Sequence, residues 1–162
     1  MSLLNRLYAR LFGPAAPLAA RAVQRMAERR RAGRIRRANM AESDLQRRFG
    51  IYVSSQAGIG PGLSLPHPTG IVIGAGVRLG QGVTIYQNVT LGAARRAGDE
   101  TARYPEVGDN TTIFAGAVLV GNIRVGRACI IGANSVVTSD VPDGATAVGA
   151  PARILLRSER TD

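Results

Sequence analysis

The residue in this sequence that is best suited to proton transfer is His67, the only histidine among the 162 residues. An imidazole accepts and returns a proton near neutral pH, which is the work of a general base. His67 stands between Pro66 and Pro68, whose rings restrict the backbone and would hold the imidazole in one place. Two interpretations are open here: a positioned catalytic base, or a solvated surface histidine.

A repeat of six residues decides which elements position this histidine. From residue 107 to residue 142 an aliphatic residue opens every hexad, and neither a helix nor an ordinary strand has a six-residue period. The pattern predicts a parallel β-helix, in which three hexads form one triangular coil and the aliphatic side chains point inward. The opening residues are Val107, Ile113, Leu119, Val125, Ile131 and Val137.

The fifth position of each hexad supports this geometry, because its residues are small or β-branched and suit a narrow interior. They are Thr111, Ala117, Ile123, Cys129, Ser135 and Val141. Cys129 is therefore expected to be a packing residue and not a nucleophile. With one His and one Cys, the usual zinc ligand sets are lacking, so we predict no metal site.

The repeat also extends toward the N-terminus, with two breaks. Aliphatic residues keep the phase from Ile73 to Leu91, and an earlier set from Val53 to Leu65 is two residues out of step. The breaks are a slip at residues 66–70 and a charged excursion at residues 93–106. Repeat proteins place insertions where they meet ligands, and His67 lies in the first break, which favours the catalytic interpretation.

The chain is predicted to contain a helical leader and one β-helix domain. Residues 1–49 form the leader, and residues 50–162 form the β-helix with the excursion loop 93–106 and a C-terminal tail. Apolar spacing predicts a short helix over Leu3 to Leu11, a second after Pro17, and a third from about Arg34 to Arg48. In the third helix, Ile35, Ala38 and Leu45 are expected to face the solenoid.

Positive charge is concentrated in the leader. All 21 basic residues are arginines, and residues 1–50 hold 12 of them against three acidic residues. The leader either caps the open end of the β-helix, or attaches to an anionic membrane surface or polymer; the two roles are compatible. Nucleic acid binding is not predicted, since the leader has few aromatic residues. We expect a cytoplasmic protein, or one peripheral at the inner face of the membrane.

Residues 51–157 resemble the hexapeptide-repeat acyltransferases, in the branch that holds the serine acetyltransferases and the sugar and polysaccharide O-acetyltransferases. Four segments carry the resemblance: residues 65–74 (LPHPTGIVIG), 89–92 (VTLG), 131–137 (IGANSVV) and 149–153 (GAPAR). It implies a mainly β fold, the left-handed parallel β-helix, and assembly as a homotrimer. It also implies that acetyl-CoA is the cosubstrate and lies in the groove between neighbouring subunits.

The resemblance further implies roles for single residues. His67 matches the general base, which takes a proton from the acceptor hydroxyl while the oxygen attacks the thioester directly. Backbone N–H groups near Gly92 would stabilise the oxyanion, and a guanidinium suits the nucleotide phosphates. Without the resemblance, the small residues among these positions would equally be tight solenoid corners. The expected cofactor-binding residues are Gly92, Ala115, Ala133, Thr138 and Arg153.

Three departures from the serine acetyltransferase pattern bear on the acceptor. Where those enzymes have Asp, Asp and His, this chain has Tyr52, Pro66 and Tyr104. Burying the charges of free serine without partners would be costly, so we expect a hydroxyl of a sugar or polysaccharide precursor, with Tyr52 and Tyr104 lining its pocket. The alternatives are serine O-acetylation for cysteine biosynthesis and, in another class, a non-catalytic solenoid scaffold.

Overall fold

The structure of the protein, a computed structural model, describes residues 15–94 and 102–156, with side chains from residue 18 onward. The helix predicted over Leu3 to Leu11 lies outside the described residues. Helix α1 spans Ala15–Arg31 and helix α2 spans Ile35–Phe49, which confirms the helical leader. In the described part of the chain, neither helix is long and apolar enough to cross a membrane.

The two helices pack on each other and on the first coil of the solenoid. Ala19, Val23 and Met26 form the buried stripe of α1, while Ala38 and Leu45 form that of α2. The prediction for Ile35 is wrong, because its side chain is 41% exposed. Ile35 is the first residue of α2, so it lies at the edge of the contact with the solenoid.

Fourteen short strands follow in the described residues, most of them two residues long. They are β1 Tyr52–Val53, β2 Gly58–Ile59, β3 Val72–Ile73, β4 Arg78–Leu79, β5 Thr84–Ile85, β6 Thr90–Gly92, β7 Glu106–Val107, β8 Thr112–Ile113, β9 Val118–Val120, β10 Arg124–Val125, β11 Ile130–Ile131, β12 Val136–Val137, β13 Thr146–Val148 and β14 Arg153–Leu155.

These strands stack into three sheets, one for each side of a prism. Sheet A has the order β1-β3-β6-β9-β12, sheet B the order β2-β4-β7-β10, and sheet C the order β5-β8-β11-β13-β14. All neighbours are parallel except the final pair, β13 and β14, which is antiparallel. Each pass through sheets A, B and C makes one coil, which is the predicted parallel β-helix.

The interior confirms the hexad assignment. Ile113, Leu119 and Ile131, which open their hexads, have no exposed surface, and the fifth-position residues Thr111 and Cys129 are also buried. Thr111 shows how a polar group fits inside: its hydroxyl donates to the Gly126 carbonyl at 2.8 Å and accepts the Cys129 N–H at 3.1 Å. The core is therefore a continuous column of aliphatic and small side chains.

The outer faces of the three sheets differ in character. Sheet B carries a ladder of charges, in which Glu106 lies 3.6 Å from Arg78 and 3.8 Å from Arg124. Apart from Arg153 on the terminal strand β14, the strands of sheets A and C present uncharged residues instead, including Val72 on sheet A and Ile130 on sheet C, which are 36% and 44% exposed. One side of the prism therefore suits solvent, while the other two suit protein contacts.

Candidate active site

His67 lies at the corner where each coil passes from sheet C to sheet A. We call this the CA corner; it consists of residues 66–70, 86–88, 114–116 and 132–134. The His67 side chain is exposed, whereas the next residue, Pro68, is buried. Backbone hydrogen bonds fix the segment, because the Thr69 N–H donates to the His67 carbonyl at 2.8 Å and the Gly70 N–H donates to the Gly50 carbonyl at 3.0 Å. The structure therefore presents the imidazole to solvent from a rigid turn.

An aromatic pair that the sequence analysis did not single out lies beside this imidazole. The rings of Tyr86 and Phe114 stack with their centroids 5.1 Å apart and an interplanar angle of 16°. The Tyr86 ring lies 6.0 Å from the His67 ring, and Phe114 is 37% exposed. Both aromatics directly follow a hexad-opening isoleucine, so their stacking could have been predicted once the excursion was left out of the coil.

Gln87 adds a polar group to the same corner. Its Oε1 atom is buried and has no hydrogen-bond partner among the described residues. Buried polar atoms are normally satisfied, so this oxygen is an exception within the corner. The sequence analysis did not single out Gln87, because the hexad pattern gives no sign of this buried end.

Two of the predicted cofactor-binding residues continue the line of the CA corner. Ala115 and Ala133 follow Gln87 in successive coils, and the Asn134 N–H next to Ala133 donates to the Ala115 carbonyl at 2.9 Å. Since stacked strands are about 4.8 Å apart, Ala133 lies about 14 Å along the axis from His67. The CA corner thus forms a line of residues, which we call the lane, that starts at the His67 imidazole and continues to the small side chains of Ala115 and Ala133.

Arg153 lies beyond the far end of this lane. It is exposed and belongs to the hairpin of β13 and β14, where it pairs with Val148. The Ala152 N–H donates to the Val136 carbonyl at 2.8 Å, which fixes the return of the chain toward sheet A. A basic residue therefore stands several coils from His67, on the same side of the prism.

Gly92 and Thr138 occupy the other edge of sheet A, where each coil turns toward sheet B. Gly92 ends β6 and Thr138 follows β12. Thr138 lines a groove with Ala94 and Arg103, at the base of the excursion, whose residues 95–101 lie outside the described part of the chain. Within one chain, the structure does not bring Gly92 and Thr138 together with His67.

Tyr104 also lies at the turn from sheet A to sheet B, whereas Tyr52 opens β1 of sheet A. The Tyr104 ring packs over Gly74 and Gly76, where a Cβ atom at Gly74 would be 2.7 Å from Tyr104 Cε1. Burial raises the pKa of Tyr52, and the nearby Glu42 carboxylate raises it further. Tyr104 acts on the pKa of Tyr52 in the same direction.

Glu42 is an acidic residue near the first coil that the sequence analysis placed only in the leader. Helix α2 brings its carboxylate to the Ser55 N–H, with 2.8 Å between Oε2 and N. Asn39 of the same helix accepts a hydrogen bond from the Ser55 hydroxyl at 2.8 Å. Counting acidic residues along the β-helix sequence alone could not reveal this group, because a helix from outside the repeat supplies it.

Comparison with known proteins agrees with this architecture. Residues 104–139 match the family model described as bacterial transferase hexapeptide (six repeats). The chain is 44% identical over 111 residues to a serine acetyltransferase of Staphylococcus xylosus, a match that covers 68% of this chain and 50% of the relative.

Solved structures give the same result. The chain is similar to the serine acetyltransferase of Neisseria gonorrhoeae, with a TM-score of 0.77, 38% identity, and coverage of 88% of this chain and 55% of that one. A serine acetyltransferase in complex with CoA matches with a TM-score of 0.74 and 36% identity, over 85% of this chain and 55% of that one.

The fold and these matches define a hexapeptide-repeat protein with a left-handed parallel β-helix, as predicted. Within that class, the predicted resemblance to the serine acetyltransferase branch of the acyltransferases is confirmed. The chain spans about half the length of the curated relatives it matches. These relatives are named serine acetyltransferases, whereas the sequence analysis preferred a sugar acceptor for this chain.

Proposed function

We propose that the chain is an acetyl-CoA-dependent O-acetyltransferase with His67 as its general base. The observation that carries the proposal is the CA corner, where a rigidly held, exposed imidazole begins a lane of small residues. The similarity to serine acetyltransferases, one of them in complex with CoA, supports the same chemistry.

In the proposed reaction, His67 removes the proton of the acceptor hydroxyl while the hydroxyl oxygen attacks the thioester carbonyl of acetyl-CoA. The carbon–sulfur bond then breaks, and the imidazolium returns the proton to the leaving thiolate of CoA. The products are an O-acetyl ester and free CoA, and no acyl-enzyme forms. Positioned backbone N–H groups would stabilise the oxyanion of the tetrahedral intermediate, and Gly92 is the candidate donor.

The lane has the features that a pantetheine arm requires. Ala115 and Ala133 leave the backbone accessible, and Arg153 offers a guanidinium for phosphates. These residues lie along one edge of the prism, so an extended cosubstrate can contact them together. We assign them to cosubstrate binding as part of the same proposal.

Assembly as a homotrimer would bring the remaining site residues to His67. Gly92, Thr138 and Tyr104 border the opposite edge of sheet A from the CA corner, so only a neighbouring copy can place its own set beside His67. The uncharged faces of sheets A and C suit such contacts, and the charge ladder of sheet B suits solvent. Light scattering that shows a trimer would support this arrangement, and a monomer at micromolar concentration would contradict it.

Serine is the acceptor that the relatives support, since those named are serine acetyltransferases. The carboxylate nearest to the first coil is that of Glu42, which could receive the ammonium group of serine. This pair of the Glu42 carboxylate and the serine ammonium would have to form near the subunit boundary, because Glu42 contacts Ser55, at the turn from sheet A to sheet B.

A neutral hydroxyl, as in a sugar, is the second candidate, and the aromatic pair favours it. Tyr86 and Phe114 offer flat apolar faces beside His67, which suit a pyranose ring better than the charged groups of serine. Tyr52 and Pro66 occupy the positions where the serine acetyltransferase pattern has acidic residues, which also favours a neutral acceptor. This acceptor would not require a buried charge pair.

The test is release of free CoA thiol from acetyl-CoA, with serine and a set of monosaccharides and their glycosides compared at equal concentrations. If serine gives the highest kcat/KM, the serine assignment stands; if a sugar exceeds serine by about tenfold, roughly 1.4 kcal/mol in the transition state, the neutral acceptor replaces it. If the protein neither binds CoA nor releases thiol with any acceptor, it is a scaffold and the proposed activity is wrong.

A further inference from the structure

The helical leader carries far more positive charge than capping the solenoid requires. Residues 15–49 contain ten arginines and three acidic residues. Of the three, Glu42 turns toward the first coil to accept the Ser55 N–H. Asp44 lies 3.8 Å from Arg47 and 3.4 Å from Arg48, so it is engaged by two arginines at once. The outer side of the helices therefore keeps a large positive excess.

Arginines from both helices converge on one open groove between them. Its lining includes Arg25 and Arg29 of α1 together with Arg37, Arg47 and Arg48 of α2, and Asp44 is the acidic residue of that lining. We call these six residues, with Met40, the basic groove. Like charges held this close repel one another in the free protein, and a nearby anionic surface relieves that repulsion.

The same groove exposes an apolar side chain. Met40 lies among the arginines and is 71% exposed, although it is flexible and apolar. A surface that combines guanidinium groups with an exposed apolar side chain matches the boundary of a bilayer, where charges meet phosphates and apolar groups enter the acyl region. Charge alone would also suit nucleic acid, whereas the acyl region of a bilayer can also take up the apolar Met40 side chain.

The aromatic residue of the groove is not free to stack on bases. Phe49 is half-buried, and the Arg48 guanidinium lies 5.4 Å from its ring centroid. Single-stranded nucleic acid binding relies on exposed aromatic faces, and the lining of the groove offers none besides Phe49. The combination of charges and side chains thus favours lipid over nucleic acid.

We propose that the basic groove binds the surface of an anionic phospholipid bilayer and holds the β-helix at the membrane. The proposal does not rest on the acetyltransferase activity, and it concerns a different part of the chain. An arginine near an anionic leaflet contributes about 1 kcal/mol, so each one raises the affinity about fivefold. Two arginines therefore account for about a 30-fold change.

The test is sedimentation of the full-length protein with vesicles of equal parts phosphatidylglycerol and phosphatidylcholine, compared with pure phosphatidylcholine. We expect binding only to the anionic vesicles, weakened by added salt. The variant Arg29→Gln/Arg37→Gln should bind about 30-fold more weakly. Its matched control is Arg78→Gln/Arg124→Gln on sheet B, which removes the same charge from the whole protein and should change binding less than about threefold.

Met40→Gln separates insertion from charge attraction, and we expect about tenfold weaker binding to the anionic vesicles because its apolar contact is lost. Equal loss in the two double variants would show that net charge, and not the groove, controls binding, and would overturn the proposal. Unchanged binding by Met40→Gln would overturn the insertion. Binding to a DNA duplex without binding to anionic vesicles would assign the groove to nucleic acid instead.

Discussion

Replacement of His67 is the most direct perturbation of the proposed reaction. The side chain is exposed, and the hydrogen bonds at this turn use the backbone of His67, so His67→Gln and His67→Ala should fold normally. Surface substitutions of this kind usually change the free energy of unfolding by less than about 0.5 kcal/mol. Any large effect on turnover would then reflect chemistry and not stability.

The expected loss follows from the worth of a positioned general base. Turnover should fall about 10²- to 10⁴-fold, which corresponds to about 2.7 to 5.4 kcal/mol of transition-state stabilisation. Binding of CoA should be unchanged, because Ala115, Ala133 and Arg153, which are assigned to cosubstrate binding, keep their side chains in both variants.

Thr69→Ala provides the matched control. Thr69 is exposed in the same turn, and its contacts to His67 and Asn88 are made by backbone atoms, which the substitution keeps. We expect thiol release by Thr69→Ala within about twofold of the parent, because no side-chain contact to the imidazole is lost. Near-parental turnover by both His67 variants, with contaminating activity excluded, would refute the assignment of the base.

Three further predictions concern packing and reactivity. Gly76→Ala places a Cβ on the Tyr104 ring and should displace the ring, which should lower kcat/KM for the acceptor about tenfold. The control Gly58→Ala, whose Cβ would meet Arg78 Cγ at 3.6 Å, should leave kcat/KM unchanged. Equal activity of the two variants would remove Tyr104 from the site. Ile131→Ala should lower the free energy of unfolding by about 2 to 5 kcal/mol in denaturant titration, and Ile130→Ala, 44% exposed on the same strand, by clearly less. Burial raises the pKa of the Cys129 thiol, so the folded protein should resist alkylation at neutral pH, and rapid labelling of the native protein would contradict this burial. Because the folded-state pKa is raised, the free energy of unfolding should fall as the pH rises above the ordinary thiol range.

Most of the fold could be predicted because one rule repeats. A side chain that opens a hexad has to point into the prism in every coil, so Val53 and Val137 are buried for the same reason although they are 84 positions apart in sequence. The helices were predictable from their apolar spacing. Ile35 was not, because a periodic pattern does not show where the contact between a helix and its neighbour ends.

The site was less predictable, because it depends on which corners of successive coils lie next to one another. His67 was identifiable from its type and its place at a break in the repeat. Tyr86 and Phe114 are 28 positions apart in sequence but stack in space, since the excursion between them leaves the coil. Tyr52 and Tyr104 were predicted to line the acceptor pocket. Tyr104 lies across sheet A from His67, so its part of that prediction depends on a neighbouring subunit.

The surroundings of His67 constrain how the base can act. The hydrogen bonds of the described residues include no carboxylate partner for this imidazole, and Glu42, the acid nearest to the first coil, is engaged with Ser55. Within one chain, the described residues therefore give the imidazolium formed during the reaction no hydrogen-bonded carboxylate. The structure instead holds the imidazole in position, because Pro68 is buried and the backbone of residues 67–70 is hydrogen-bonded to the neighbouring coils. Catalysis would then depend mainly on holding the base and the two substrates in register, so changes that loosen this turn should lower kcat more than they raise KM.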